Sequence, residues 1–158
     1  NGMPGNYKIG GYYDTGKFTS LEDSSQRRGN YGGYVAADQM VYREGGPGTD
    51  QGLTALGAIT FAPSEYNEFP FFIDGGVFYK GLIHGRDKDI AALGFAYGNW
   101  SDDFPGDLSH EAMIDLSYKI QINGWMYLQP DLQYIFRPGG SGDIDNALVL
   151  GTRLGITF

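Results

Sequence analysis

Hydrophobic and polar side chains alternate strictly over 147–158: Leu148, Leu150, Thr152, Leu154, Ile156 and Phe158 share one row, and Ala147, Val149, Gly151, Arg153, Gly155 and Thr157 the other. Because strand side chains repeat every two residues, this reads as a strand with one apolar face and one wet face carrying Arg153. Segment 125–136 repeats the pattern: Met126, Leu128, Pro130, Leu132, Tyr134 and Phe136 oppose Tyr127, Gln129, Asp131, Gln133 and Ile135, and Arg137 continues the polar row. In 110–122 the apolar row runs Ala112, Ile114, Leu116, Tyr118, Ile120, Ile122. Its opposite row, Glu111, Met113, Asp115, Ser117, Lys119 and Gln121, would be rejected by a dry core, where unpaired charges are costly. In 70–80, Phe71, Ile73, Val77 and Tyr79 oppose Phe72, Asp74, Phe78 and Lys80. Segments 32–44 and 88–99 alternate poorly, and their facing stays open. Taken alone, the last segment also fits a half-buried edge strand of a soluble sandwich.

Turn clusters divide the chain into eight candidate strands near 6–15, 32–44, 51–62, 70–80, 88–99, 110–122, 125–136 and 147–158. An even number suits an up-and-down barrel. If the carboxy-terminal end of the last strand is periplasmic, connections 16–31, 63–69, 100–109 and 137–146 lie outside, and 45–50, 81–87 and 123–124 inside. The outer set is longer on average, as outer-membrane barrels require, although 81–87 is long for an inner turn.

Composition narrows the class. The 158 residues include 26 Gly, 12 Tyr and 10 Phe, and no Cys, which excludes a disulfide scaffold and a thiol nucleophile. Apolar runs such as 90–97 are far shorter than the roughly 18–20 residues of a membrane helix, so a spanning structure has to be a closed barrel. A net charge of -8 argues against nucleic acid as a partner. The chain starts at Asn1 with no charged, then apolar, leader pattern, so either a signal peptide has been removed or the chain is part of something longer. Aromatics near strand ends, Tyr7, Tyr42, Phe61, Phe71, Tyr79, Tyr97, Trp100, Trp125, Phe136 and Phe158, form candidate interfacial girdles, though Tyr and Phe also favour ordinary strands.

The terminal alternating strand ending in Phe158 resembles the last strand of bacterial outer-membrane barrels. More specifically, the chain resembles the carbohydrate-selective porin family, called OprB-like. The resemblance rests on 7–16 (YKIGGYYDTG), 33–39 (GYVAADQ), 61–64 (FAPS), 79–83 (YKGLI), 130–134 (PDLQY) and 137–142 (RPGGSG), which together span nearly the whole chain. It implies an all-β, transmembrane antiparallel β-barrel in the bacterial outer membrane, of which residues 1–158 are a single-domain segment. Eight strands correspond to the carboxy-terminal half of a sixteen-stranded barrel, and the difference matters: eight strands leave an interior that side chains fill, sixteen an aqueous channel. His84 stands where the family's turn is expected to carry Pro.

Candidate chemistry of other kinds is thin. His110 with Asp102, Asp103 and Asp107 resembles the carboxylate and imidazole set of omptin proteases, which gives an outer-membrane hydrolase as one alternative. Its spacing fits a solvated loop equally. Ser109 and His110, adjacent on a strand, point to opposite faces, against a lipase-like arrangement. The acidic groups Asp102, Asp103, Asp107 and Asp143, Asp145 lack the pattern of a Ca²⁺ loop, and Gly139 to Gly142 lacks the Lys of a phosphate loop.

The wet rows carry the remaining chemistry: Lys8, Tyr12 and Asp14; Asp74, Phe78 and Lys80; Asp115, Lys119 and Gln121; Gln129, Asp131, Gln133 and Arg137; Arg153. Charged and amide groups exchange hydrogen bonds with sugar hydroxyls while aromatics stack on the ring, so a mixed-charge lumen suits neutral sugars. The expectation is a non-enzymatic porin for passive diffusion of glucose and related sugars into the periplasm, with no cofactor and no metal. Its expected partners are small neutral sugars, outer-membrane lipid and lipopolysaccharide, and the insertion machinery, with a homo-oligomer left open. A small structural barrel that conducts nothing is the other alternative.

Overall fold

Eight antiparallel strands follow one another in a single sheet, each pairing with the next in sequence. They are β1 (Gly5–Thr19), β2 (Gln26–Arg43), β3 (Gly52–Phe61), β4 (Phe71–Lys80), β5 (Ile90–Asn99), β6 (His110–Gln121), β7 (Met126–Phe136) and β8 (Ala147–Ile156). The structure is a computed structural model and describes residues 2–158. All eight expected strands are present. The largest departure lies at 16–31, expected as a long connection: there β1 and β2 continue as a hairpin up to residues 20–25. A register shift between Asp14 and Lys17, and Gly29 at φ 96°, let the hairpin bend while it keeps pairing.

Residues directly opposite in an antiparallel pair share a face, so the register carries the facing from one strand to the next. Starting from Leu150, the row runs through Leu132, Leu116, Leu93, Val77 and Ala55 to Gln39 and Gly5. Traced the same way, the apolar face between residues 5–13 of β1 and 148–156 of β8 holds no Asp, Glu, Lys or Arg. It is also open: Ile9 is 84% exposed and Leu150 79%. The one buried hydrophobic residue among those described is Met40, so stability cannot come from an ordinary core.

Register also settles β2 and β5. In β5, Ala91, Leu93, Phe95 and Tyr97 join the apolar face, while Ala92, Gly94, Ala96 and Gly98 join the mixed one. Both rows are apolar, which is why the sequence shows no alternation there. In β2 the small run Ala36–Ala37 and a register shift between Met40 and Tyr42 hide the period.

Glycines in this sheet often lie under rings. Tyr34 covers Gly10, and a Cβ at Gly75 would sit 3.0 Å from the Phe95 ring. This cross-strand cover replaces the packing that glycine lacks.

Candidate functional site

The mixed face gathers most of the polar residues that the sequence singles out. Gln129 stands directly opposite Arg153 across β7 and β8, and the flanking pairs Ser117 with Asp131 and Ile120 with Leu128 set Lys119 beside Gln129, so the three form one basic and amide band. Asp131 stands opposite Ser117 and Asp115 opposite Gln133, so acids occupy the next two levels on one side of that band. The Asp131 carboxylate lies over Gly151, where a Cβ would come within 2.5 Å of its oxygens. Lys119 also places Nζ 4.2 Å from the centre of the Tyr127 ring, a cation on an aromatic face. With Phe78, Ile90, Ala92 and Ser117, Lys119 and Gln129 line a hollow of about 250 Å³.

A second hollow, about 300 Å³, lies across β1 to β4. Its floor is Ala36 and Ala58, and its polar groups are Asn6, Lys8, Asp38 and Asp74. Asn6 Nδ2 donates to Asp38 Oδ2 at 2.9 Å, which fixes one carboxylate. Lys8 and Asp74, distant in sequence and on strands separated by two others, thus line one hollow from opposite sides of a floor of small residues. Asn6 and Asp38 were not among the sequence candidates. The poor alternation of 32–44 concealed Asp38; its place on the Lys8 face follows only from the β1–β2 register.

Other candidates sit apart from these hollows. Asp14 Oδ1 accepts from the Gly16 N–H at 2.7 Å, which ties it to the bend in β1. Tyr12 covers Gly32 on the mixed face. Lys80 pairs with Asp50 in the turn after β2. Arg137 does not continue the β7 row: it follows the strand at φ 49°, donates its N–H to Asn146 Oδ1 at 3.0 Å and leans toward Gly142.

The hydrolase set is not assembled. The His110 ring stacks on Tyr97 at 5.3 Å, on the apolar face, while Asp103 Oδ2 accepts from Ser64 Oγ at 2.9 Å. Ser109 Oγ does approach His110 Nδ1, at 3.3 Å, because Ser109 lies just before the strand. Among the described residues no cluster of His, Cys, Asp or Glu has the form of a metal site.

The two ends of the sheet are held differently. At the end with the connections 20–25, 62–70, 100–109 and 137–146, each loop bonds to the next: Leu21 N–H to Glu65 O at 2.9 Å, Ser101 N–H to Glu68 O at 2.8 Å, and Ser109 N–H to Gly140 O at 3.0 Å. Within that collar a hydrogen bond from Ser25 holds the Asp23 carboxyl down at about 2. At the opposite end one buried carboxylate organises the long turn 81–89. Asp89 accepts from Arg86 Nε at 2.7 Å and Nη2 at 3.0 Å, from Tyr118 Oη at 3.0 Å and from Gln121 N–H at 2.9 Å. Burial pushes the Asp89 carboxyl up, but the hydrogen bonds, led by Arg86, outweigh it and hold it below its ordinary value. This clip explains why an inner turn can be long.

Comparison with known proteins decides the family. The model of the carbohydrate-selective porin family, OprB, matches residues 1–158. The chain belongs to the OprB family. Among its relatives, Porin B of Pseudomonas aeruginosa is 28% identical over 190 aligned positions, covering 99% of this chain and 42% of that protein. The putative porin QuiX of Acinetobacter baylyi is 21% identical, covering 100% of this chain and 41% of its own. The high-pH structure of Pseudomonas putida OprB superposes with a TM-score of 0.94 at 27% identity, over 99% of this chain and 45% of that one. The low-pH structure of the same porin shares the fold, with a TM-score of 0.64 at 24% identity over 96% and 47%. The chain therefore spans less than half the length of the OprB relatives it matches. One sheet of eight antiparallel strands agrees with half of a larger porin barrel.

Proposed function

We propose that this chain is the carboxy-terminal half of an outer-membrane OprB channel that lets glucose and related neutral sugars diffuse passively into the periplasm, without catalysis. The observation that carries the reading is the division of the sheet into an uncharged apolar face and a mixed face carrying Lys8, Asp38, Asp74, Asp115, Lys119, Asp131 and Arg153. Lipid accepts the first and water the second. Among the described residues β1 and β8 each pair on one side only, and a sheet edge exposed to hydrocarbon would leave backbone groups unsatisfied. Further strands must therefore close the barrel, and the greater length of the relatives supplies room for them.

Facing water, the acids and bases interleave with amides, which favours solutes that exchange many hydrogen bonds and carry no net charge. Lys8, Asp74, Lys119, Gln129, Asp131, Gln133 and Arg153 are the lumen contacts in this reading; Asp14, Lys80 and Arg137 sit near the mouths. The test is flux into liposomes by the full-length protein. Glucose is expected to enter faster than gluconate, an anion of similar size. Equal rates would reduce the protein to a general pore, and no flux through a correctly folded barrel would end the proposal.

A further inference from the structure

The loop end of the mixed face contains a third hollow, about 380 Å³, lined by Thr60, Phe69, Phe72, Gly98, Glu111 and Met113. Four of these residues form one register row across β3 to β6: Thr60 opposite Phe72, Phe72 opposite Gly98, Gly98 opposite Glu111. Along that row a hydroxyl, a ring, a gap and a carboxylate succeed one another. Gly98 is the gap. A Cβ there would sit 2.9 Å from Phe69 Cδ1 and 3.2 Å from Phe72 Cδ2, so both rings lie over the glycine as an apolar floor. Phe69 comes from the loop between β3 and β4 and is fixed from behind by Trp100, ring centres 4.3 Å apart. The loop itself is anchored by Ala62 N–H to Pro70 O at 2.9 Å and Ser101 N–H to Glu68 O at 2.8 Å. Glu111 is fixed as well: Oε2 accepts from the Gly139 N–H at 2.6 Å, and the second oxygen of a carboxylate remains an acceptor for other donors.

The geometry points to a pyranose subsite at this mouth, with the sugar ring lying on Phe69 and Phe72 and its hydroxyls donating to Glu111. Three properties favour this occupant. The volume lies at the small end of the roughly 300–1,000 Å³ of small-molecule sites. The lining is mostly apolar with few polar groups, the composition that fixes orientation without trapping a charged solute. A pyranose offers C–H faces to rings and hydroxyl donors at its edge, matching a floor of two aromatics beside one carboxylate. A carboxylate as the main polar group also disfavours anions at the entrance. None of Phe69, Phe72 and Glu111 belongs to the charged hollows described above, so this is a separate station for the solute before it reaches Lys8, Asp74 and Lys119.

The inference rests on the sugar-channel reading, and the experiment separates the two. Full-length protein in planar bilayers is titrated with glucose, and the sugar-dependent block of the salt current gives an affinity. Phe72→Ala and Phe69→Ala are each expected to weaken the block at least fivefold, and Glu111→Gln at least threefold, with salt conductance within twofold of the parent. Glu111→Gln keeps side-chain volume and an acceptor for Gly139, so it reports on the carboxylate in a mouth that stays folded. Sorbitol, the open-chain counterpart without a ring face, should block more weakly than glucose in the parent, and that preference should shrink in Phe72→Ala. Block affinity within twofold of the parent in Phe72→Ala and Glu111→Gln would overturn the subsite while leaving the channel reading intact. A parent that conducts salt but shows neither block nor sugar flux would overturn both.

Discussion

The strands β6 to β8 and the strands β3 to β5 share one apolar face but present opposite kinds of wall on the other side. In β6 to β8 the mixed face is crowded with Glu111, Asp115, Lys119, Gln129, Asp131, Gln133 and Arg153. In β3 to β5 it is mostly small or apolar: Leu56, Ala58, Gly76, Ala92, Gly94, Ala96 and Gly98, with Asp74 standing alone near the middle. A channel wall need not be polar everywhere to be wet. Where side chains are small, backbone and solvent meet and space is left, and all three hollows open onto this stretch, at Ala58, at Ala92 and at Gly98. Bulky polar groups on one wall and small residues on another divide the work between recognising a solute and leaving room for it.

The largest expected effect tests the face the two regions share. Leu150→Arg, in the middle of β8 on the apolar side, should cost about 2–4 kcal/mol in a bilayer, while Val149→Arg on the mixed side should stay within about 0.5 kcal/mol. Reversible unfolding in lipid vesicles measures both. Equal losses would break the assignment of faces.

Next comes the joint between the regions. The turn from β4 to β5 is clipped onto β6 through Asp89, so Asp89→Ala strands the Tyr118 hydroxyl and the Gln121 N–H at once. A loss of about 1.5–3 kcal/mol is expected, the range for hydrogen bonds to a charged group. The pH dependence has a definite sign. Because the folded carboxyl titrates below its ordinary value of 3.8, its contribution is complete above that value and disappears as pH falls through the lower, folded one. Unfolding midpoints from pH 7 down to 3 should fall more for the parent than for Asp89→Ala. Parallel curves would show that the clip does not hold the two walls together.

A finer contrast lies within the small wall. A Cβ at Gly76 would meet Leu93 O at 2.5 Å, whereas one at Gly94 has Gly75 O at 3.6 Å as its nearest neighbour. Gly76→Ala should therefore destabilise by about 1–3 kcal/mol, the cost of overpacking, and Gly94→Ala should be tolerated. If the two behave alike, the backbone relaxes more than the close approach suggests.

Smallest in stability is Arg153→Ala on the polar wall, expected within about 0.5 kcal/mol because a wet side chain contributes little packing. Its effect belongs in transport: glucose affinity should shift severalfold in the bilayer assay. An unchanged affinity would assign that wall to solvation alone.

Alternation, turn clusters and the short apolar runs were enough to determine an all-β chain of eight strands, and they placed the rows of 70–80, 110–122, 125–136 and 147–158 on the faces found in the structure. The reason is that a charged row opposite an apolar row has a period of two that needs no partner to be seen. Motif likeness further indicated the family. Tertiary structure decided what depends on pairing. Register alone faced β5, whose two rows are both apolar, and brought Asp38 into one hollow with Lys8 and Asp74. It extended β1 and β2 through a stretch read as loop, turned Arg137 out of its row, and set His110 against Tyr97 away from Asp103. Sequence carries each strand's own pattern, but which residues of different strands stand side by side is fixed only when backbone hydrogen bonds choose one register, and every hollow on the mixed face is made of such neighbours.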